Sequence, residues 1–259
     1  MLNYIKSEFY RAAHSSEIHG TALGLGGLVV LLNLILYLMK DLEGFRYGST
    51  SFSYSNLVSM PMLYCYVAAD VAAMLYEADR KNGTLGNSIS FGLSRMQIFG
   101  SKCVVCFGVS FLLLLILLPL YIGSAQLLPA SGPTTVKELL LEIPAMSLIA
   151  TGALILAVLL LDFFENSFFS VLTWFAVLVI LPKVLLLAGM ALASRTEFLL
   201  EIAMWMPVNF LTAQSQVNLS ECITVWSTGA GMAKCLLSGA AGIIVFGAAG
   251  VLLLRKKEI

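Results

Sequence analysis

The sequence predicts an all-α polytopic membrane protein with six transmembrane helices, an N-terminal interfacial helix, a small helix in a cytoplasmic loop and a re-entrant or interfacial segment on the outer side, in one domain over residues 1–259. Composition is the first observation behind it. Of 259 residues 59% are apolar and 12% charged, about half the charged share of a soluble domain. Mean hydropathy is +0.92. The second observation is six stretches close to the ~20 apolar residues a helix needs to cross a bilayer: 18–39, 57–76, 103–122, 143–161, 168–193 and 230–254. The third is the placing of Lys and Arg. With the N-terminus inside, Lys6, Arg11, Arg80, Lys81, Arg95, Lys102, Arg255, Lys256 and Lys257 are cytoplasmic, against Lys40, Arg46, Lys137, Arg195 and Lys234 outside. That bias puts both termini in the cytoplasm. A formal net charge of zero gives no global basic field for nucleic acid, and five Cys make no disulfide scaffold.

The elements follow in order. Leu2, Ile5, Phe9, Ala12 and Ala13 recur at helical spacing, with Lys6, Ser7 and Arg11 largely on the other side. This is the pattern of a short helix on the inner membrane surface. The opening residues are mixed rather than a charged tip plus apolar run, so the first span is expected to be retained. Between spans two and three, Gly83 and Gly92 bracket Leu85 and Ile89. Those two lie four apart, on one face of a helix of about two turns. Gly92 suits a helix stop, and Ser94 with Gln97 forms a capping box for the next helix. The link between spans four and five is short, 162–167. Residues 198–207 are too apolar for an ordinary surface loop and too few to span, so they predict a re-entrant or interfacial helix ended near Pro207.

Polar groups inside the spans need separate reasons, because a charge at that depth costs roughly 3 kcal/mol or more unless paired or hydrated. Tyr66, Asp70 and Glu77 share one helical face. Either this stripe faces a cavity on a substrate path, or Asp70 bonds a neighbouring helix or reaches water at the inner surface. Pro182 is expected to break or kink span five, leaving Lys183 to pair with a carboxylate or meet water in the break. Gly20 with Gly24, and Ser238 with Gly242, have the small-xxx-small spacing of close helix contact, expected within one chain.

Catalytic sets are missing. The chain has no phosphate-binding loop, and its two His, His14 and His19, fit no metalloprotease motif. Cys103 and Cys106, at the start of an apolar span, read as packing residues. No catalytic or metal residue is assigned, and no cofactor is expected on this chain. No convincing repeat relates the two halves, which argues against an inverted-repeat transporter.

The pattern Glu77…Asp79…Gly83-Thr84-Leu85…Gly92-Leu93-Ser94-Arg95…Lys102 resembles the cytoplasmic loop of type-2 ABC exporter permeases, in particular the small bacterial six-span permeases of drug or antimicrobial-peptide export and immunity. Glu8-Phe9-Tyr10-Arg11 resembles that family's N-terminal interfacial helix. Arg255-Lys256-Lys257-Glu258-Ile259 resembles its basic finish, with Glu258 where the family often has Asp. The resemblance implies a permease subunit whose loop is the coupling helix. Glu77, Asp79, Gly83, Thr84, Leu85, Ile89, Gly92, Ser94 and Arg95 would then form the coupling element toward a separate cytoplasmic ATPase, which carries the ATP and magnesium. It also implies a second permease, identical or different, a bacterial cytoplasmic membrane, and an amphipathic substrate passing Tyr66, Asp70 and Lys183. A stand-alone secondary transporter or channel using Asp70 and Lys183 is the alternative.

Overall fold

The computed structural model describes residues 2–90, 92–164, 166–192 and 197–257. Twelve α-helices and one two-stranded hairpin make up the described chain. Helix α1 is Leu2–Ala13, α2 Ser16–Met39, α3 Thr50–Val58, α4 Leu63–Asn82, α5 Thr84–Ser90, α6 Arg95–Ala125 and α7 Val136–Phe163. Helices α8, Ser167–Phe175, and α9, Leu181–Ala191, join through a π turn at Ala176–Ile180. Then come α10 Phe198–Trp205, α11 Pro207–Ala213, strands β1 Gln216–Val217 and β2 Cys222–Ile223, and α12 Gly229–Lys257.

Five of these units are long and apolar enough to cross a bilayer: α2, α6, α7, α8 with α9, and α12. The chain is therefore an all-α polytopic membrane protein. The stretch 57–76 differs from the expected continuous span. It is broken at residues 59–62, and α3 and α4 meet at 63°. Pro61 supplies the cause: it has no N–H to give, and its ring disfavours a helical Met60. Helix α4 then runs past Tyr76 to Asn82, where Gly83 at φ +63 ends it.

Helix α7 is the centre of the packing. Over half of its apolar window is buried, against 22% or less for the other four. Its closest neighbour is α12, and glycines make that approach possible. A Cβ on Gly239 would lie 2.6 Å from the Ile149 nitrogen, and one on Gly152 would lie 3.3 Å from the Gly242 backbone. Gly242 thus packs within the chain, as its spacing predicts, whereas Gly20 and Gly24 face open space. Ser238 donates to the Trp205 carbonyl at 3.1 Å. On the other side, the Trp174 indole N–H donates to Ala153 O at 2.8 Å and pins α8 to α7. Asn33, buried in α2, links three helices: its amide donates to Ser124 at 2.7 Å and accepts from Ser53 at 2.6 Å.

Of the break or kink expected at Pro182, the break is absent, and a widened turn stands before the proline. The π turn precedes the proline, and the helix continues through Ala191. A π turn shifts the hydrogen-bond register locally, which accommodates a residue with no N–H. The segment after it folds back. Leu200 backbone lies 2.9 Å from where a Cβ on Gly189 would be. The buried Asn209 amide donates to Pro182 O at 2.8 Å and to Ala203 O at 2.9 Å. Pro182 is nine residues inside the end of α9, roughly 13 Å at helical rise. As expected, the helix over 198–207 ends just before Pro207, with Met206 extended; the same proline opens α11, making α10 and α11 a helical hairpin. A short antiparallel β-hairpin follows, its turn held by Asn218, which accepts the N–H groups of Ser220 and Glu221.

The α7–α12 seam gives a test. Gly239→Ala should overpack it, at a cost of about 1–3 kcal/mol, and lower the thermal midpoint in detergent. Gly247→Ala, with nothing within 4 Å, should leave the midpoint unchanged or raise it slightly. Equal midpoints for the two variants would contradict the packing.

Candidate functional site

Helix α5 is seven residues long and sits between two left-handed glycines, Gly83 at φ +63 and Gly92 at φ +86. A side chain is strained at such φ, so each glycine fixes a turn. Gly92 N–H donates to Ile89 O at 2.9 Å and Leu93 N–H to Ser88 O at 3.2 Å, closing the helix end. Ser94 then starts α6 through a reciprocal box: it accepts the Gln97 N–H at 3.2 Å, and Gln97 accepts the Ser94 N–H at 3.1 Å. Arg95 is half-buried in the first turn. Ile89 is exposed, an apolar side chain outside the five long apolar helices. The Leu85 side chain lies outside the described residues, as do Glu258 and Ile259.

Behind α5 is a cluster of four charges. Lys102, with no solvent exposure, reaches Glu8 at 2.5 Å and also pairs with Asp79. Arg11 reaches Glu8 at 2.5 Å and pairs with Asp79 as well. Thr84 closes the set: its hydroxyl accepts from Arg11 at 3.1 Å and donates to Asp79 at 2.6 Å. Two anions face two cations, so the cluster is neutral, and it ties α1, α4, α5 and α6 together. Burial disfavours the Arg11 charge, but Asp79 and Glu8 outweigh that and hold its pKa above the ordinary value. The Phe9 ring adds an apolar lock, filling the space a side chain at Gly108 would need. Asp79 and Thr84 therefore face inward and hold α5 from behind.

Next to Asp79 on α4, Arg80 grips the link between α7 and α8. It donates to Ser167 Oγ at 2.8 Å and to the Leu161 and Phe164 carbonyls at 2.5 Å. Those carbonyls belong to the end of α7, where a cation is favoured. Glu77 is exposed in a shallow cleft beside Arg80, Lys81 and Phe168.

Higher on the same face of α4, Tyr66 and Asp70 line a lateral cavity of about 470 Å³, with Leu25 of α2, Ala157 of α7 and Trp174 of α8. Asp70 is exposed into it, and no hydrogen bond or ion pair among the described residues ends on its carboxylate. The stripe expected from spacing thus faces a cavity at Asp70 rather than a bonded neighbour. Lys183 is not in the lining; its side chain is exposed on α9, and no ion pair among the described residues reaches it.

No family model, curated protein or solved structure matches this chain. The site therefore rests on its own geometry. Sequence spacing places α5 and its punctuation and puts Glu8, Arg11 and Lys102 in motifs or on a helix face, but it does not bring them together as a charge cluster with Asp79, nor show what Arg80 holds. A signal was present: Glu8 and Arg11 are three apart, one turn of helix, and Lys102 directly precedes an apolar run where a lone lysine needs a partner.

The cluster predicts a large effect from a small change. Lys102→Met leaves Glu8 and Asp79 sharing Arg11, and breaking a buried pair costs roughly 3–5 kcal/mol. The variant should lose thermal stability and expose α1 to protease. Adding Asp79→Asn should recover part of the loss. A single variant as stable as the parent would refute the clamp.

Proposed function

We propose that the chain is the membrane-spanning permease subunit of an ATP-driven exporter of the type-2 ABC kind. The observation that carries this reading is α5: a two-turn helix outside the long apolar helices, set between two left-handed glycines, clamped from behind by four charges and offering Ile89 on its outer side. A free loop needs none of these devices. A helix that receives a push from a partner needs all of them, because force applied to α5 must reach the bundle without being absorbed.

In this reading α3 with α4 forms the sixth span, and α1, α5 and both termini are cytoplasmic, in a bacterial plasma membrane. A separate ATPase binds ATP and magnesium and seats α5 in a cleft. Two permeases and two ATPases make the working unit. Closure of the ATPases moves α5, and the cluster passes the displacement to α1, α4 and α6 as one body. Glu77, Ile89 and Arg95 lie at or near the contact, while Asp79, Thr84, Gly83, Gly92 and Ser94 set its shape. The substrate is amphipathic. Asp70 in its cleft and Lys183 on its exposed face favour one other reading, a secondary transporter or channel needing no ATPase; purified chain alone would then move substrate.

Docking is tested at Ile89. Ile89→Asp, and Leu85→Asp, should lower capture of an ATPase subunit co-expressed with the chain at least tenfold and uncouple hydrolysis from export. Arg95→Ala should do less, and Lys137→Ala nothing. Aspartate variants that capture the ATPase and export at the Lys137→Ala level would remove the coupling role.

Topology is tested by thiol chemistry. Cys222 is half-buried, and burial pushes its thiol pKa above the ordinary value. Less thiolate is present at any given pH, and thiolate is the reacting form. An impermeant maleimide added outside intact cells should therefore label Cys222 slowly near pH 7 and faster as pH rises, with Cys222→Ser as blank. Asn87→Cys should label only after the inner face is opened. Labelling of Asn87→Cys from outside would invert the topology.

A further inference from the structure

We infer that the cavity beside Asp70 binds a lipophilic monocation that enters from the membrane side. The inference deepens the exporter reading, on which it rests, by naming the substrate class. The cavity is about 470 Å³, inside the ~300–1,000 Å³ range of small-molecule sites and too small for a folded peptide. Its walls are nearly all apolar, and Asp70 is the one charged residue in the lining. Two of the other polar groups there are engaged. The Trp174 N–H is bonded to Ala153 O, and the Ser170 hydroxyl to Leu160 O and Asn166 O. What remains for a ligand among the described residues is one free carboxylate, the Tyr66 hydroxyl and the rings of Tyr66 and Trp174, set edge to face with centroids 5.8 Å apart. Val171 and Phe175, exposed at the rim, give the cavity a sideways mouth on the bundle surface.

Charge selects among ligands. An anion would meet a carboxylate with no cation beside it. A neutral molecule would cover Asp70 and leave it unpaired, which is unfavourable in an apolar site. A dication would bury its second charge without a partner. A single cation on an aromatic or alkyl body satisfies the carboxylate and places its charge against the aromatic rings.

The test uses the purified full chain in nanodiscs and two ions of one shape, tetraphenylphosphonium and tetraphenylborate, each in separate equilibrium dialysis. Wild type should retain the phosphonium at least tenfold more tightly than Asp70→Asn does, and Glu43→Gln, an exposed carboxylate away from the cavity, should match wild type. The borate should bind wild type and Asp70→Asn alike. A second measurement does not need Asp70→Asn to fold: the phosphonium should slow alkylation of Val171→Cys at the cavity mouth, and the borate should not. Equal phosphonium affinity in wild type and Asp70→Asn, or no protection of Val171→Cys, overturns the inference. So does oxidative cross-linking of Val171→Cys into a dimer that excludes the phosphonium, since a second copy would then occupy the cavity. No ATPase is present in the dialysis. Loss of binding with ATPase capture intact therefore sinks this inference alone, and binding without ATPase capture sinks the exporter reading alone.

Discussion

The α5 end of the bundle depends on Lys102. A fully buried ammonium is tolerable only where carboxylates meet it, and Glu8 and Asp79 do so from two different helices. Arg11 then balances the second negative charge and, through Thr84, brings in α5. Removing Lys102 or Arg11 leaves a buried carboxylate, Glu8 or Asp79, short of a cation. Lys102 thus requires Glu8, Glu8 brings α1 onto α6, and the position of α1 closes the space behind α5. The helix expected to lie on a membrane surface is in this way part of the folded body, with Glu8 and Ala12 buried and Leu2 and Tyr10 left exposed.

Features set by local rules were legible in the sequence. Gly83, Gly92 and the pair Ser94 with Gln97 each act within a few residues, so spacing alone placed α5 and the start of α6. Apolar length placed the five long helices for the same reason. What escaped depends on partners far along the chain. Helical periodicity puts Glu8 near Phe9 and Ala12 but cannot report that Lys102 waits across the gap. The stretch 57–76 reads as one span on apolar length, and Pro61 within it carries no weight in that reading; α3 and α4 bent at 63° show its effect. At Pro182 the helix is not broken, because a π turn before the proline takes up its effect.

The hairpin of α10 and α11 follows from the same rule that buried backbone needs partners. Turning back inside a bundle leaves carbonyls without helical donors. Asn209 supplies two N–H bonds, to Pro182 O and Ala203 O, and Ser238 supplies an O–H bond to Trp205 O. Four elements, α9, α10, α11 and α12, are thereby joined through side chains. The segment is legible in the sequence because it is apolar and short, and so is its end near Pro207; what is not legible is that the same proline starts a second helix, α11.

Arg80 has a mechanical consequence. It fastens the lower part of α4 to the turn between α7 and α8, while fourteen residues up the helix Tyr66 meets Trp174 of α8 edge to face. Fourteen residues are about 21 Å of helix. With α4 held at its foot, a lean of about 5° would displace Tyr66 by roughly 2 Å and leave Glu77 almost still. The gap between α4 and α8 would then work like the jaws of a clothes-peg: a small shift near the spring would set the width of the bite, with Asp70 between the jaws.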